Sequence, residues 1–226
     1  MSGTSRRVSA YVGLGANVGD LAGTLARAVA ALEDEPGIAV RAVSPLYASA
    51  PVGLVDQPEF RNAVVRLEVP AGPDAVTGAL AMLTRLKRLE REFGRRRRQR
   101  WGPRELDLDL LVFGRALVDA ERTTATRSLG AETDEERAAR RLVVPHREAH
   151  RRSFVLAPLA DLAAGLVPPG WHETVRRARD RQAAVDGPEA VRLVGTWDPA
   201  QGRWTRPEAA DATLRPSPAQ RSSPER

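Results

Sequence analysis

A chain of 226 residues that is 42% hydrophobic can build a sizeable core, which excludes a wholly disordered protein. It has no cysteine, which excludes disulfides, thiolate metal sites and cysteine nucleophiles, and no apolar run approaches the ~18 residues of a membrane span. The formal charge of +6 and a pI near 10.9 favour anionic partners; of the 35 Lys and Arg residues only Lys87 is lysine. Arginine is the better planar fork for phosphate. The opening residues lack a signal-peptide pattern, so a cytoplasmic location is expected.

In chain order, residues 8–17 alternate apolar and small side chains and read as a first strand, broken at Asn17-Val18-Gly19-Asp20. Asp20 is placed to cap a helix carrying Leu21, Leu25, Ala28, Val29 and Leu32 on one face, which Pro36-Gly37 ends. A β-rich segment follows at 38–49, then a Pro- and Gly-containing loop over 50–62 that overlaps a third strand at 60–69. Pro73 and Asp74 open a long helix with Val76, Leu80, Leu83, Leu86 and Phe93 near one stripe, and Gly94 is placed to cap its end. Residues 105–114 form the fourth strand. The order β-α-β-β-α-β predicts an α+β, ferredoxin-like sandwich, with two helices on one face of a mainly antiparallel sheet. Beyond it come a polar insertion at 119–140, a short extended segment at 141–146 and a small helix within 153–169 anchored by Phe154 and Leu156. One domain is expected over 1–197, and a disordered tail over 198–226.

The fourth strand carries the sharpest chemical signal. Asp107 and Asp109 stand two residues apart and so face one side of a strand, roughly 6–7 Å apart. Leu111 and Phe113 are expected to continue that face, with Leu106, Leu108 and Leu110 on the other. Two like charges at the end of an apolar strand need a cation, and a hard divalent ion shared with substrate phosphates suits them. The plain alternative is a half-exposed strand with its aspartates in water. The arginines at 95–98 and 100 read either as a solvated loop or as a cationic flap over polyphosphate, with Trp101 as lid wedge or loop anchor. Gly13, Gly15 and Gly19 suggest a phosphate cradle but lack a P-loop pattern, so a tight strand-to-helix turn is the expected role. His146, His150 and His172 show no metal-ligand spacing; His146 suits a phosphate or structural role.

The stretch RWGPRELDLDLL (100–111) closely resembles the signature of the 6-hydroxymethyl-7,8-dihydropterin pyrophosphokinases of the folate pathway. Further landmarks of that family occur in the same order: YVGLGANVGD, SAPVGLVDQPEFRNAV, LVVPH and RRSFVLAPL, spanning Val8 to Pro169. The resemblance implies transfer of the terminal diphosphate of ATP to the pterin hydroxymethyl oxygen, releasing AMP. It implies Asp107 and Asp109 as ligands of two Mg²⁺ ions, and Arg95 and Arg97 as loop arginines assisting transfer. Pterin recognition falls to Asn62 with backbone groups near Ser49 and Val52, ring stacking to Phe60 and Phe154, and sealing of the site to Trp101. Arg104, Leu110, Arg141, His146 and Arg152 are implied at the nucleotide.

Three positions depart from the common pattern: Phe60 stands where many relatives have tyrosine, Val143 where a hydroxyl residue is frequent, and Arg147 where an aromatic is frequent. Two other classes fit the fold. A ferredoxin-like RNA-binding module would need exposed sheet aromatics in an RNP-like series, which Phe60 and Phe113 do not make. A small-molecule-binding regulatory domain leaves the aspartate pair unexplained. The expected partners are therefore ATP and the pterin, without nucleic acid or membrane, acting on a monomer.

Overall fold

The computed structural model describes residues 6–51, 57–94, 104–123, 126 and 141–207. Among the described residues nine strands run β1 (Arg7–Ala16), β2 (Ala39–Val43), β3 (Leu46–Ser49), β4 (Phe60–Pro70), β5 (Asp107–Phe113), β6 (Val118–Glu121), β7 (Arg141–Val144), β8 (Val191–Asp198) and β9 (Arg203–Thr205). Four described α-helices intervene: α1 (Leu21–Glu33), α2 (Ala75–Glu92), α3 (Ser153–Ala163) and α4 (Val175–Asp186). The main sheet has the order β5-β1-β4-β3-β8-β9, with β2 also on β4, and every pairing is antiparallel. Its first part, from β5 to β2 and β3, is the split βαβ arrangement expected from the element order. Among the described residues no helix is long and apolar enough to cross a membrane.

Local chemistry sets the helix starts. The Asp20 carboxylate accepts from the Gly23 N–H at 3.1 Å, and that of Asp74 accepts from the Thr77 N–H at 2.8 Å. α1 buries Leu25, Ala28, Val29 and Leu32. α2 keeps most of the expected stripe, with Leu83 and Leu86 buried and Leu80 and Phe93 packed on the same core. Ala79, Met82, Leu83, Leu86 and Leu89 face the sheet, whereas Val76 is 40% exposed. Both helices pack on Val12, Leu14, Val65, Leu67, Leu108 and Leu110 of the sheet.

The opposite face is covered as well, which the two-helix sandwich did not include. Leu156, Leu159 and Ala160 of α3, with Val175 and Ala178 of α4, pack on Tyr11, Val64, Leu111 and Val112. Leu111 and Val112 share this face because the β1–β5 register shifts between Tyr11 and Val12. The bulge returns Phe113 to the α1/α2 side, correcting the expectation that Phe113 lies on the aspartate face.

The β-rich segment at 38–49 is two strands hinged at Ser44-Pro45. Pro45 has no N–H to give the ladder. The Ser44 hydroxyl fills in, accepting from the Val64 N–H at 2.9 Å and donating to the Pro45 carbonyl at 2.7 Å. Two expected boundaries are corrected. Residues 119–121 belong to β6, which pairs with β7, rather than to a polar excursion. Residues 198–207 are folded: β9 pairs with β8, and buried Trp204 donates from Nε1 to the Ser44 carbonyl at 2.8 Å while meeting Trp197 edge-on at 4.6 Å.

Candidate active site

A cavity of about 110 Å³ opens on the α3 side of the sheet, where β1 carries glycine instead of a side chain. Gly13 and Gly15 are not turn residues: both lie within β1 and form the cavity floor. A Cβ on Gly15 would stand 3.6 Å from Asn62 Oδ1 and 4.0 Å from Asp107 Cβ, so the missing methyl opens space between those two groups. Gly19, with φ of 77°, alone occupies the tight turn.

One wall comes from β3 and β4. Ser49 and Asn62 are both buried, and the Asn62 amide donates to the Ser49 hydroxyl at 2.9 Å. This bond holds the carboxamide with its oxygen over Gly15. Phe60 at the start of β4 and Phe154 in the first turn of α3 both line the space. Arg152 caps α3 and sets its guanidinium carbon 5.8 Å from the Phe154 ring centroid. α4 holds that helix start in place: the Ser153 hydroxyl donates to Asp186 at 2.7 Å, and Gln182 donates to the same carboxylate at 2.8 Å.

The other wall is β5. Asp107 and Asp109 face the cavity together with Leu111, as strand alternation requires. Arg104 forms an ion pair with Asp107. Asn17, 2% exposed, anchors this strand at its start: its carboxamide oxygen accepts from the Arg104 N–H at 2.7 Å, and its amide donates to Gln57 at 3.0 Å. Among the described residues no group of three or more His, Asp or Glu could by itself hold a metal ion. The donor set at this cavity is therefore two carboxylates, one already paired with a cation. That suits Mg²⁺, which takes one or two carboxylates and completes its shell with water and substrate phosphate.

Beside the cavity a groove of about 370 Å³ is lined by Val143, His146, Arg147 and Asp119. His146 is largely buried, and burial pushes its imidazole below the usual histidine range; Asp109 opposes that shift, while Arg152 and Arg122 reinforce it. Its Nδ1 accepts from the Glu148 N–H at 3.3 Å. Arg141 is exposed and held by Asp119 at 2.6 Å, which raises its pKa further.

The residues singled out from sequence thus divide. Asp107, Asp109, Ser49, Asn62, Phe60, Phe154, Arg104 and Arg152 converge on one cavity. His146 lies in the adjoining groove, and Arg141 lies on β7 outside both linings. Leu110, 2% exposed, points into the α1/α2 core instead. Arg95, Arg97, Trp101 and Val52 lie outside the described residues. Gly13, Gly15 and Asn17 were not expected to shape the site, although their spacing in GLGAN, apolar strand residues alternating with glycine, is the signal a strand floor would leave.

The 7,8-dihydro-6-hydroxymethylpterin-pyrophosphokinase (HPPK) family model matches residues 11–164. A 2-amino-4-hydroxy-6-hydroxymethyldihydropteridine pyrophosphokinase of Pseudomonas aeruginosa is 41% identical over 163 residues, covering 72% of this chain and 85% of that protein. The protein of the same name from Methylorubrum extorquens is 40% identical over 169 residues, covering 75% and 90%. Wild-type HPPK-DHPS of Plasmodium falciparum with pteroate superposes with a TM-score of 0.64 at 13% identity, which speaks for the fold alone; it covers 91% of this chain, and the chain spans about half of that longer protein (48%). With the signature strand forming the acidic wall of the cavity and the matched segment spanning the cavity-lining elements, the chain belongs to the HPPK family.

Proposed function

We propose that this protein transfers the terminal diphosphate of ATP to the hydroxymethyl oxygen of 6-hydroxymethyl-7,8-dihydropterin, giving AMP and the pterin diphosphate in tetrahydrofolate synthesis. The observation that carries this reading is the single cavity shared by Asn62, two phenylalanines and the Asp107/Asp109 pair. Asn62, fixed by Ser49, offers an acceptor to the amino-pyrimidinone edge of the pterin. Phe60 and Phe154 supply apolar surface for its ring faces. The glycine floor of β1 leaves room for a flat heterocycle to lie against the sheet.

Asp107 and Asp109 would hold Mg²⁺ with the phosphates of ATP. Bound there, two ions would neutralise the polyphosphate and lower the pKa of the attacking hydroxyl. Arg104 and Arg152, both at the cavity, are the described cations best placed for the triphosphate. His146, whose burial favours the neutral imidazole, can accept or donate a hydrogen bond there without adding charge. Arg95, Arg97 and Trp101 keep the roles that the family resemblance implies. Such chemistry asks for positioning and charge neutralisation rather than a protein nucleophile.

The test is direct. The protein, given MgATP and the hydroxymethyl-dihydropterin, should form AMP and pterin diphosphate, and Asp107→Ala or Asp109→Ala should lose most turnover. Production of ADP, or absence of pterin-dependent turnover in folded protein, refutes the reading.

A further inference from the structure

The only lysine of the chain, Lys87, is 5% exposed, and its partner Glu90 is 2% exposed. They lie one turn apart near the end of α2, with Lys87 Nζ donating to Glu90 Oε1 at 2.6 Å. Neither faces the cavity. Both reach instead to one residue of β5: Lys87 Nζ donates to the Leu108 carbonyl at 3.0 Å, and the Leu108 N–H donates to Glu90 Oε1 at 2.8 Å.

Two facts make that residue special. Among the described residues β5 is an edge strand, paired on one side with β1, and the backbone groups of Leu108 that point away from β1 have no ladder partner there. Leu108 also sits between Asp107 and Asp109, so the orientation of its backbone sets the direction of both carboxylates. An ion pair buried in an apolar core is weak grounds for stability, because two well-packed apolar side chains of similar volume commonly do as well or better. What an apolar pair cannot do is satisfy an outward-facing N–H and C=O at once.

We propose that Lys87 and Glu90 are positioning residues for the diphosphate transfer: they clamp the edge of β5 at Leu108 and so hold Asp107 and Asp109 in register to share a divalent cation. This rests on the reading of Asp107 and Asp109 as the Mg²⁺ ligands. The clamp reaches the ion through the strand, as outer partners do at metal sites, where their loss typically costs about 10- to 100-fold in metal affinity or activity. It also joins the end of α2 to the start of β5, the two ends between which residues 95–103 run.

Two double variants separate clamp from packing. Lys87→Met/Glu90→Leu keeps the volume and removes the hydrogen bonds. Lys87→Gln/Glu90→Gln removes the charges but keeps a donor for the Leu108 carbonyl and an acceptor for its N–H. Three readouts are compared with wild type: the Mg²⁺ concentration for half-maximal AMP formation, amide hydrogen exchange at Leu108 in metal-free protein, and metal-free pterin affinity. The apolar pair should fold with an unchanged or raised Tm, need about 10- to 100-fold more Mg²⁺, and exchange faster at Leu108. The glutamine pair should stay near wild type on all counts, and pterin affinity should move less than about twofold in either. Wild-type Mg²⁺ dependence in the apolar pair, or a glutamine pair as impaired as the apolar one, overturns the proposal. Should the apolar pair not fold, Lys87→Met/Glu90→Gln removes only the donor to the carbonyl; a wild-type Mg²⁺ requirement there overturns it equally. Asp109→Ala run alongside separates the failures. If it keeps wild-type Mg²⁺ dependence, the metal-site reading falls and takes the clamp's role with it. If it loses that dependence while the apolar pair keeps it, only the positioning role is refuted.

Discussion

Gly15→Ala tests the cavity floor with the smallest possible change. The new Cβ would stand 3.6 Å from Asn62 Oδ1 and 4.0 Å from Asp107 Cβ, both ordinary van der Waals distances, so the protein without substrate has room for it. Gly15 sits within β1, paired with Asn62 on one side and Asp107 on the other. Losing glycine's freedom in the unfolded chain should stabilise by about 0.4–1 kcal/mol, which for a protein of this size raises Tm by about 1–4 °C. The substrate complex pays differently. A methyl group on the floor of a cavity of about 110 Å³ competes with any ring lying there. Overpacking by one carbon costs about 1–3 kcal/mol, or roughly 5- to 150-fold in affinity. Equilibrium binding of the pterin by fluorescence, with thermal unfolding of the same sample, measures both effects. Wild-type pterin affinity in the stable variant, or a collapse of Tm, refutes this account of the floor.

Other consequences follow from particular contacts. Trp204→Ala removes a buried indole and its bond to Ser44, and should cost about 3–5 kcal/mol in chemical denaturation; a chain ended at 197 should be destabilised at least as much. His146 titrates lower in the folded protein than its ordinary 6.5, so the folded state binds fewer protons than the unfolded one below that pH. Stability should therefore be flat above pH 6.5 with respect to this group, and should fall as pH drops from there toward the depressed folded value. His146→Gln should flatten that part of the denaturation profile. The Tyr47 hydroxyl donates to Asp161 at 2.7 Å, and burial raises both their pKa values while this bond holds the Asp161 value down. Tyr47→Phe should raise the Asp161 pKa further in an NMR titration and cost about 0.5–1.5 kcal/mol at neutral pH.

Much of the frame was readable locally, because its causes are local. Asp20 and Asp74 cap helices through bonds to residues three positions on. Period-3.6 and period-2 patterns place α1 and β1, and the i, i+2 spacing puts Asp107 and Asp109 on one face. What misled was what neighbours in space decide. Val76 fits the apolar stripe of α2, yet it is 40% exposed, while Ala79, Met82 and Leu89 join Leu83 and Leu86 on the sheet. α4 left little trace, since it buries only Val175, Ala178 and Gln182 among many charges.

The order of elements, the acidic strand and the family signature are properties of short stretches, so the chain itself carries them. Three features needed the fold. The bulge that sends Phe113 away from the aspartates arises where β5 meets β1, nearly a hundred residues apart. The C-terminal hairpin is held by an indole that finds Ser44 across 160 residues, which no local pattern announces. The glycines of β1 read as a turn or cradle until β4 and β5 flank them, because glycine permits both conformations and only the ladder chooses. Lys87 likewise looks from its position like one more cation; it becomes a clamp only when the edge of β5 is brought to it with the Leu108 carbonyl to satisfy.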